Sequence, residues 1–176
     1  AERPPVLQRL FGTADGMADE YGQLGSSGEI AVVKNFALES GIQLRHSEAC
    51  YTTYGSLNES RDNVIVISHA LTGNADVDAW WGALVGPGRA VDTTKYFVFC
   101  ANVLGGCYGS TGPASIDPET GQRYGINFPR VTIRDMVNHQ AEVLQQLGVQ
   151  EVQCVIGGSM GGMQSLEWAA TVNKPK

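Results

Sequence analysis

Near the end of the chain, Gly157-Gly158-Ser159-Met160-Gly161 fits the pattern G-x-S-x-G. A serine hydroxyl is a weak nucleophile. It becomes useful for attack on an acyl carbon when a tight turn lifts it clear of the backbone, when N–H donors await the oxyanion, and when a base removes its proton. The pattern alone is a weak signal. Its setting sharpens it, because a short apolar run precedes the motif and a helical pattern follows. Glycines on either side of the serine leave room for the helix to press against neighbouring strands. The start of that helix favours negative charge. The N–H of Met160 then points at the developing oxyanion. A second donor has to come from the loop after an earlier central strand, and the loop 69–73 (His-Ala-Leu-Thr-Gly) follows such a strand. Leu71 is the residue expected to supply it.

The base is harder to place. Seventeen residues follow Ser159 and none is His or Asp; Glu167 is the one acid among them. The three histidines all precede the serine. His46 is expected on an edge strand and His139 on the polar face of a helix. His69 adjoins the loop that carries Leu71, where it either anchors that loop or acts as general base.

The elements that must position these groups follow from periodicity. Residues 1–30 show little of it, contain Gly12, Gly16, Gly22, Gly25 and Gly28, and read as an extended arm ahead of a domain over 31–176. Residues 32–38 and 42–53 read as a hairpin around Glu39-Ser40-Gly41. NVIVIS (63–68) and YFVFCA (96–101) are continuous apolar runs of the kind buried on both faces of a parallel sheet. A short helix is expected over 78–85, with Trp80 and Trp81. A long Gly- and Pro-containing loop over 102–130 is of a length that is usually functional. Residues 131–147 form an amphipathic helix, started by Thr132 with Asp135 three positions on and stopped by Gly148. A strand over 152–156 and a helix from about 160 to 171 complete the pattern. Strands alternating with helices imply an α/β domain with a mostly parallel sheet and an antiparallel N-terminal hairpin.

Composition narrows the partners. The 176 residues carry a net charge of −6, with basic residues scattered singly, which argues against nucleic acid or anionic lipid. No apolar run approaches the ~18 residues of a membrane helix. Cys50, Cys100, Cys107 and Cys154 match no zinc or CxxC spacing. Cys50, Cys100 and Cys154 lie in strand-like runs and read as buried free thiols. That places the chain in a reducing compartment, cytoplasmic or organellar, and not among secreted proteins. No metal site is expected.

Longer stretches carry more information than the serine motif. SHALTGNADV (68–77), WWGALVGPGRAVDTTKYFVFCANVLGGCYGSTGPASIDPETG (80–121), FPRVTIRDMV (128–137) and VIGGSMGGMQSLEWA (155–169) resemble the homoserine O-acetyltransferase family of α/β-hydrolases. The resemblance covers about 32–170. It implies a ping-pong reaction in which the serine takes an acetyl group from acetyl-CoA, a cosubstrate rather than a bound cofactor, and passes it to the hydroxyl of L-homoserine, feeding methionine synthesis. Ser159 maps onto the nucleophile, and Leu71 and Met160 onto the oxyanion donors. Thr72 and Gly73 of the same loop fall in the substrate-binding set. Gly86-Pro87-Gly88-Arg89 reads first as a turn, with Arg89 a candidate contact for acetyl-CoA or substrate.

In this fold the triad runs Ser, then Asp or Glu, then His. The family's order therefore does not close within this sequence. The C-terminal strands and the lid are expected to be absent as well, so the fold is α/β-hydrolase-like but incomplete, its last strand open at one edge. Three readings follow. The chain is the N-terminal part of an acyltransferase, its edge covered by the C-terminal half. Alternatively it is a catalytically incomplete homologue, a structural subunit whose edge meets a protein partner. A hydrolase using the same serine on an ester is a third, disfavoured by the texture of 104–115.

Overall fold

The computed structural model describes residues 28–171. The arm expected over 1–30 falls mostly outside that range, and its last residues already belong to a strand. β1 (Glu29–Ala37) and β2 (Gln43–Tyr54) form the hairpin. Its turn closes through Leu38 N–H to Ile42 O and Gly41 N–H to Leu38 O, both 2.9 Å, with Gly41 at φ 84°. β3 (Val64–Ser68) and β6 (Phe97–Ala101) are the two runs expected to be buried on both faces, and every residue in them is buried. Between them lie α1 (Val77–Trp81) and two strands of two residues each, β4 (Val85–Gly86) and β5 (Val91–Asp92). That pair has no sequence signal, because two residues are too few to show a period. A single 3₁₀ turn (Gly125–Asn127) interrupts the long loop before α2 (Ile133–Gln146), β7 (Val152–Gly157) and α3 (Met160–Thr171).

The main sheet runs β1-β2-β6-β3-β7. β1 pairs antiparallel with β2, and β2 antiparallel with β6; β6, β3 and β7 are parallel. Strand alternation sorts the central side chains onto two faces. Val64, Val66, Phe97 and Phe99 face Val137, Val143 and Leu144 of α2 and Trp168 of α3. Ile65, Ile67, Val98 and Cys100 face Ala75, Val77, Val85 and Val91. Each face buries several large aliphatic or aromatic groups, at roughly 1.5–3 kcal/mol apiece.

α2 begins as its sequence says. Thr132 Oγ1 accepts from Asp135 N–H at 3.2 Å and Asp135 Oδ2 accepts from Thr132 N–H at 2.9 Å, a complete capping box. Asp135 does more: its other oxygen accepts from Glu39 N–H at 2.8 Å, which pins the hairpin turn to the helix start.

Three expectations are corrected. His139 is not on a polar face; it is 1% exposed, bonded to Ser47 Oγ at 2.9 Å and edge-on to Phe36. The β2 hydroxyl supplies the partner that makes burial of an imidazole affordable in physical terms. Cys154 is exposed rather than buried, because β7 is the last strand of the sheet and none of its residues is fully buried. His46 sits opposite Lys34 on β2, and β1 forms the outer edge.

Candidate active site

Ser159 stands between the end of β7 and the start of α3, exposed, with φ 56°. A non-glycine residue in the left-handed region is uncommon and costs about 1–3 kcal/mol, which packing elsewhere has to offset. The two flanking glycines are demanded by space. A Cβ on Gly157 would lie 2.4 Å from both the carbonyl carbon and oxygen of Gly161, and one on Gly161 would lie 2.0 Å from Ser68 O. Gly158, by contrast, has nothing within 4 Å of such an atom. The space around the turn therefore reproduces the motif: glycine is required at the first and last positions and optional at the second. The helix then begins with Gly161 N–H to Gly158 O at 2.9 Å and Met163 N–H to Ser159 O at 3.2 Å. The earliest N–H groups of α3, Met160's included, have no partner within the helix by geometry.

The loop carrying Leu71 follows β3, the neighbour of β7. Its first residue is held through both nitrogens of its ring. The His69 ring is 2% exposed; Nδ1 donates to Ala70 O at 2.7 Å, and Nε2 accepts from Val103 N–H at 3.3 Å. Burial lowers its pKa, so the ring is neutral with its proton on Nδ1. Its Nε2 lone pair is committed to a backbone amide, so of the two roles left open for His69 the structure shows the anchor. Gly73 N–H closes a turn onto Ala70 O at 2.9 Å, and the side chains of Leu71 and Thr72 are exposed between these fixed points.

Asn102, which sequence reasoning passed over, braces the far end of the same segment. Its Oδ1 accepts from Ala75 N–H and its Nδ2 donates to Tyr108 O, both at 2.7 Å. The Thr52 hydroxyl donates to Ala75 O. The signal was available: a single amide residue directly at the C-terminal end of a buried strand, where two loops diverge.

The remaining titratable candidates are spoken for. Glu167 Oε1 accepts from Arg134 Nε at 2.6 Å, and Arg134 also reaches Glu39 at 2.8 Å. Glu167 is thus part of a surface ion-pair network. His139 is held neutral by burial, its pKa lowered to about 4. His46 lies on β2, three strand positions from β7, roughly 14 Å at the usual spacing. The structure therefore brings the Ser159 turn together with the 69–73 loop and joins no histidine base to them among the described residues. Arg89 is exposed and donates from its guanidinium to Val85 O at 3.0 Å, closing the 85–92 turn. Among the described residues no cluster of three His, Cys, Asp or Glu side chains has metal-binding geometry. No described helix is long and apolar enough to cross a membrane.

A hollow of 380 Å³ lies beside β7, between Leu144 and Gln145 of α2, Val152 and Cys154 of β7, and Ser165 and Trp168 of α3. It is not at the serine.

Comparison with known proteins agrees with the geometry. The chain is 54% identical over 135 residues to a homoserine O-acetyltransferase of Chlorobaculum parvum, covering 77% of this chain and 38% of that protein. It is 56% identical over 141 residues to one from Moorella thermoacetica, covering 74% and 38%. The chain thus spans well under half the length of these curated relatives. Among solved structures, the homoserine O-acetyltransferase of Bacillus anthracis superposes with a TM-score of 0.76 at 34% identity, over 83% of this chain and 43% of that one. Esterase E22 superposes equally well, with a TM-score of 0.76 at 35% identity over 81% and 43%. The family described as the alpha/beta hydrolase fold matches residues 63–176. With its serine turn, parallel core strands and N-terminal antiparallel pair, the chain belongs to the α/β-hydrolase fold family.

Proposed function

We propose that this chain is the nucleophile-bearing part of an O-acyltransferase that moves an acetyl group from acetyl-CoA to the hydroxyl of L-homoserine. The observation that carries the reading is Ser159 at φ 56° in a turn whose flanking glycines leave no room for a side chain. In the first half-reaction Ser159 Oγ attacks the thioester carbon, its proton passes to a base, and the CoA thiol leaves carrying a proton. In the second, the homoserine hydroxyl attacks the acetyl-serine, the ester forms and Ser159 is regenerated. The N–H groups of Leu71 and Met160 hold the oxyanion in both steps. Thr72, Gly73 and Arg89 contribute to the substrate-facing surface.

The base and its carboxylate come after the serine in this fold. They are assigned to a C-terminal half that also covers the bare edge of β7. Four free thiols fit a reducing compartment, cytoplasmic or organellar. A subunit role, with a partner protein on that same edge, is the alternative.

The test uses the protein at its natural length. Incubated with acetyl-CoA and no acceptor, the wild type should gain one acetyl group on the peptide containing Ser159, and Ser159→Ala should gain none. Added homoserine should discharge it as O-acetylhomoserine. The likeness to esterase E22 favours one competing outcome, discharge to water at the same rate with or without homoserine, which would make the chain part of an ester hydrolase. No acetylation at all would leave the subunit reading.

A further inference from the structure

At spacings of three and four, the inward face of α3 reads Gly161, Gln164, Trp168. Gln164 is a primary amide with 0% exposure. Unpartnered, such a group would destabilise the fold, because it would give up its hydrogen bonds to water and gain none. Instead it is the middle of a directional chain. Trp168 Nε1 donates to Gln140 Oε1 at 3.3 Å, Gln140 Nε2 donates to Gln164 Oε1 at 2.9 Å, and Gln164 Nε2 donates to His69 O at 3.3 Å. Both ends fix the sense of the chain. An indole N–H only donates and a backbone carbonyl only accepts, so neither amide can turn over without breaking bonds.

The chain terminates on the segment that carries Leu71. The His69 carbonyl belongs to the peptide linking His69 to Ala70, directly ahead of the peptide whose N–H is Leu71's. Gln164 sits four residues after Met160, about one helical turn. It therefore connects the helix that presents one proposed oxyanion donor to the loop that presents the other. The contact of Gly161 with Ser68 O sets how closely the two backbones approach. The bond from Gln164 sets how the first peptide of the loop is rotated.

We infer that Gln164 is a positioning residue: acting through the His69 carbonyl, it fixes residues 69–71 relative to the start of α3, while Gln140 and Trp168 hold its amide in the orientation that does so. The inference rests on the reading of Leu71 and Met160 as oxyanion donors.

The test compares Gln164→Leu with Trp168→Phe, which keeps a large ring and removes only the far donor, in the protein at its natural length. Two quantities are measured: amide hydrogen exchange of the peptide spanning 69–73, and kcat and KM for acetyl transfer. In Gln164→Leu, exchange over 69–73 should rise about 10-fold while the hairpin peptides stay unchanged. kcat should fall roughly 10- to 100-fold, with KM for acetyl-CoA within about 2-fold. Trp168→Phe should shift both in the same direction by less. Unchanged exchange over 69–73 overturns the inference, as does faster exchange with unchanged kcat. If Gln164→Leu does not fold, Trp168→Phe and Gln140→Met decide by the same two measurements. A wild type that transfers no acyl group overturns the proposed function instead, and exchange over 69–73 still decides whether Gln164 holds the loop.

Discussion

Gly161→Ala isolates the contact on which the serine turn depends. The added methyl would sit 2.0 Å from Ser68 O, 2.8 Å from Ser68 C and 3.1 Å from His69 O. Side-chain Cβ atoms do not approach other heavy atoms closer than 3.0 Å, so α3 and the end of β3 must separate by at least the difference, 1.0 Å. Both sides of the contact are backbone, so no rotamer change relieves it. Overpacking of this kind costs about 1–3 kcal/mol, and the rigid partners here place the expectation near the upper end, about 3 kcal/mol. A displacement of about 1 Å between reacting groups is enough to lower a rate ~100-fold. Two measurements on the natural-length protein check this: the urea unfolding midpoint, and the rate at which acetyl-CoA acylates Ser159. Gly158→Ala is the control, since nothing lies within 4 Å of its added methyl and its φ is not in the left-handed region. That substitution should leave acylation within about 2-fold and stability unchanged or raised by ~0.5 kcal/mol through reduced unfolded-chain entropy. A Gly161→Ala protein with wild-type midpoint and acylation rate would refute the reasoning, because it would mean that the helix start and β3 are not held in contact.

Two further predictions concern strain and protonation. Ser159→Gly should be more stable than Ser159→Ala by about 1 kcal/mol, since glycine adopts φ 56° without penalty and alanine does not; equal unfolding midpoints for the two would remove the claim of backbone strain. His139, buried with its pKa lowered to about 4, binds its proton less readily folded than unfolded. The unfolded chain takes up that proton below about pH 6.5, so the stability linked to His139 is fully present above that pH and is lost as pH falls toward 4. The loss amounts to about 3 kcal/mol at most, and His139→Leu should flatten stability between those limits; an unaltered pH dependence in that variant would place the proton elsewhere.

The parts of this fold that were legible in the sequence are those whose cause is local. NVIVIS reads as a buried strand because five successive apolar or small residues leave no solvent face, and β3 is buried throughout. Thr132 and Asp135 read as a helix start because both bonds of the box lie within four residues. The serine turn is legible for the same reason. What was missed depends on partners far along the chain. His139 has the look of a surface residue until Ser47, 92 positions away, supplies its hydrogen bond. Gln140 and Gln164 break the apolar stripes of two helices, and their burial follows only from meeting each other. Cys154 lies in an apolar run whose burial would need a neighbour on the open side of β7. A local pattern states which residues avoid water; it does not state which polar residues have been given an alternative to it.

The strand order has a consequence for synthesis. β3 lies between β6 and β7, and β7 begins at Val152, 84 positions after β3 ends at Ser68. Translation at ~5–20 residues per second leaves that flank of β3 without its partner for roughly 4–17 s. β6 fills the other flank much sooner, and β2 is already available to pair with β6 on its far side. During those seconds the nascent chain holds β1, β2, β6 and β3, and β3, buried throughout in the finished fold, still offers an unpaired row of backbone donors and acceptors on one side, so chaperone engagement is favoured at the ribosome before the serine turn has been made.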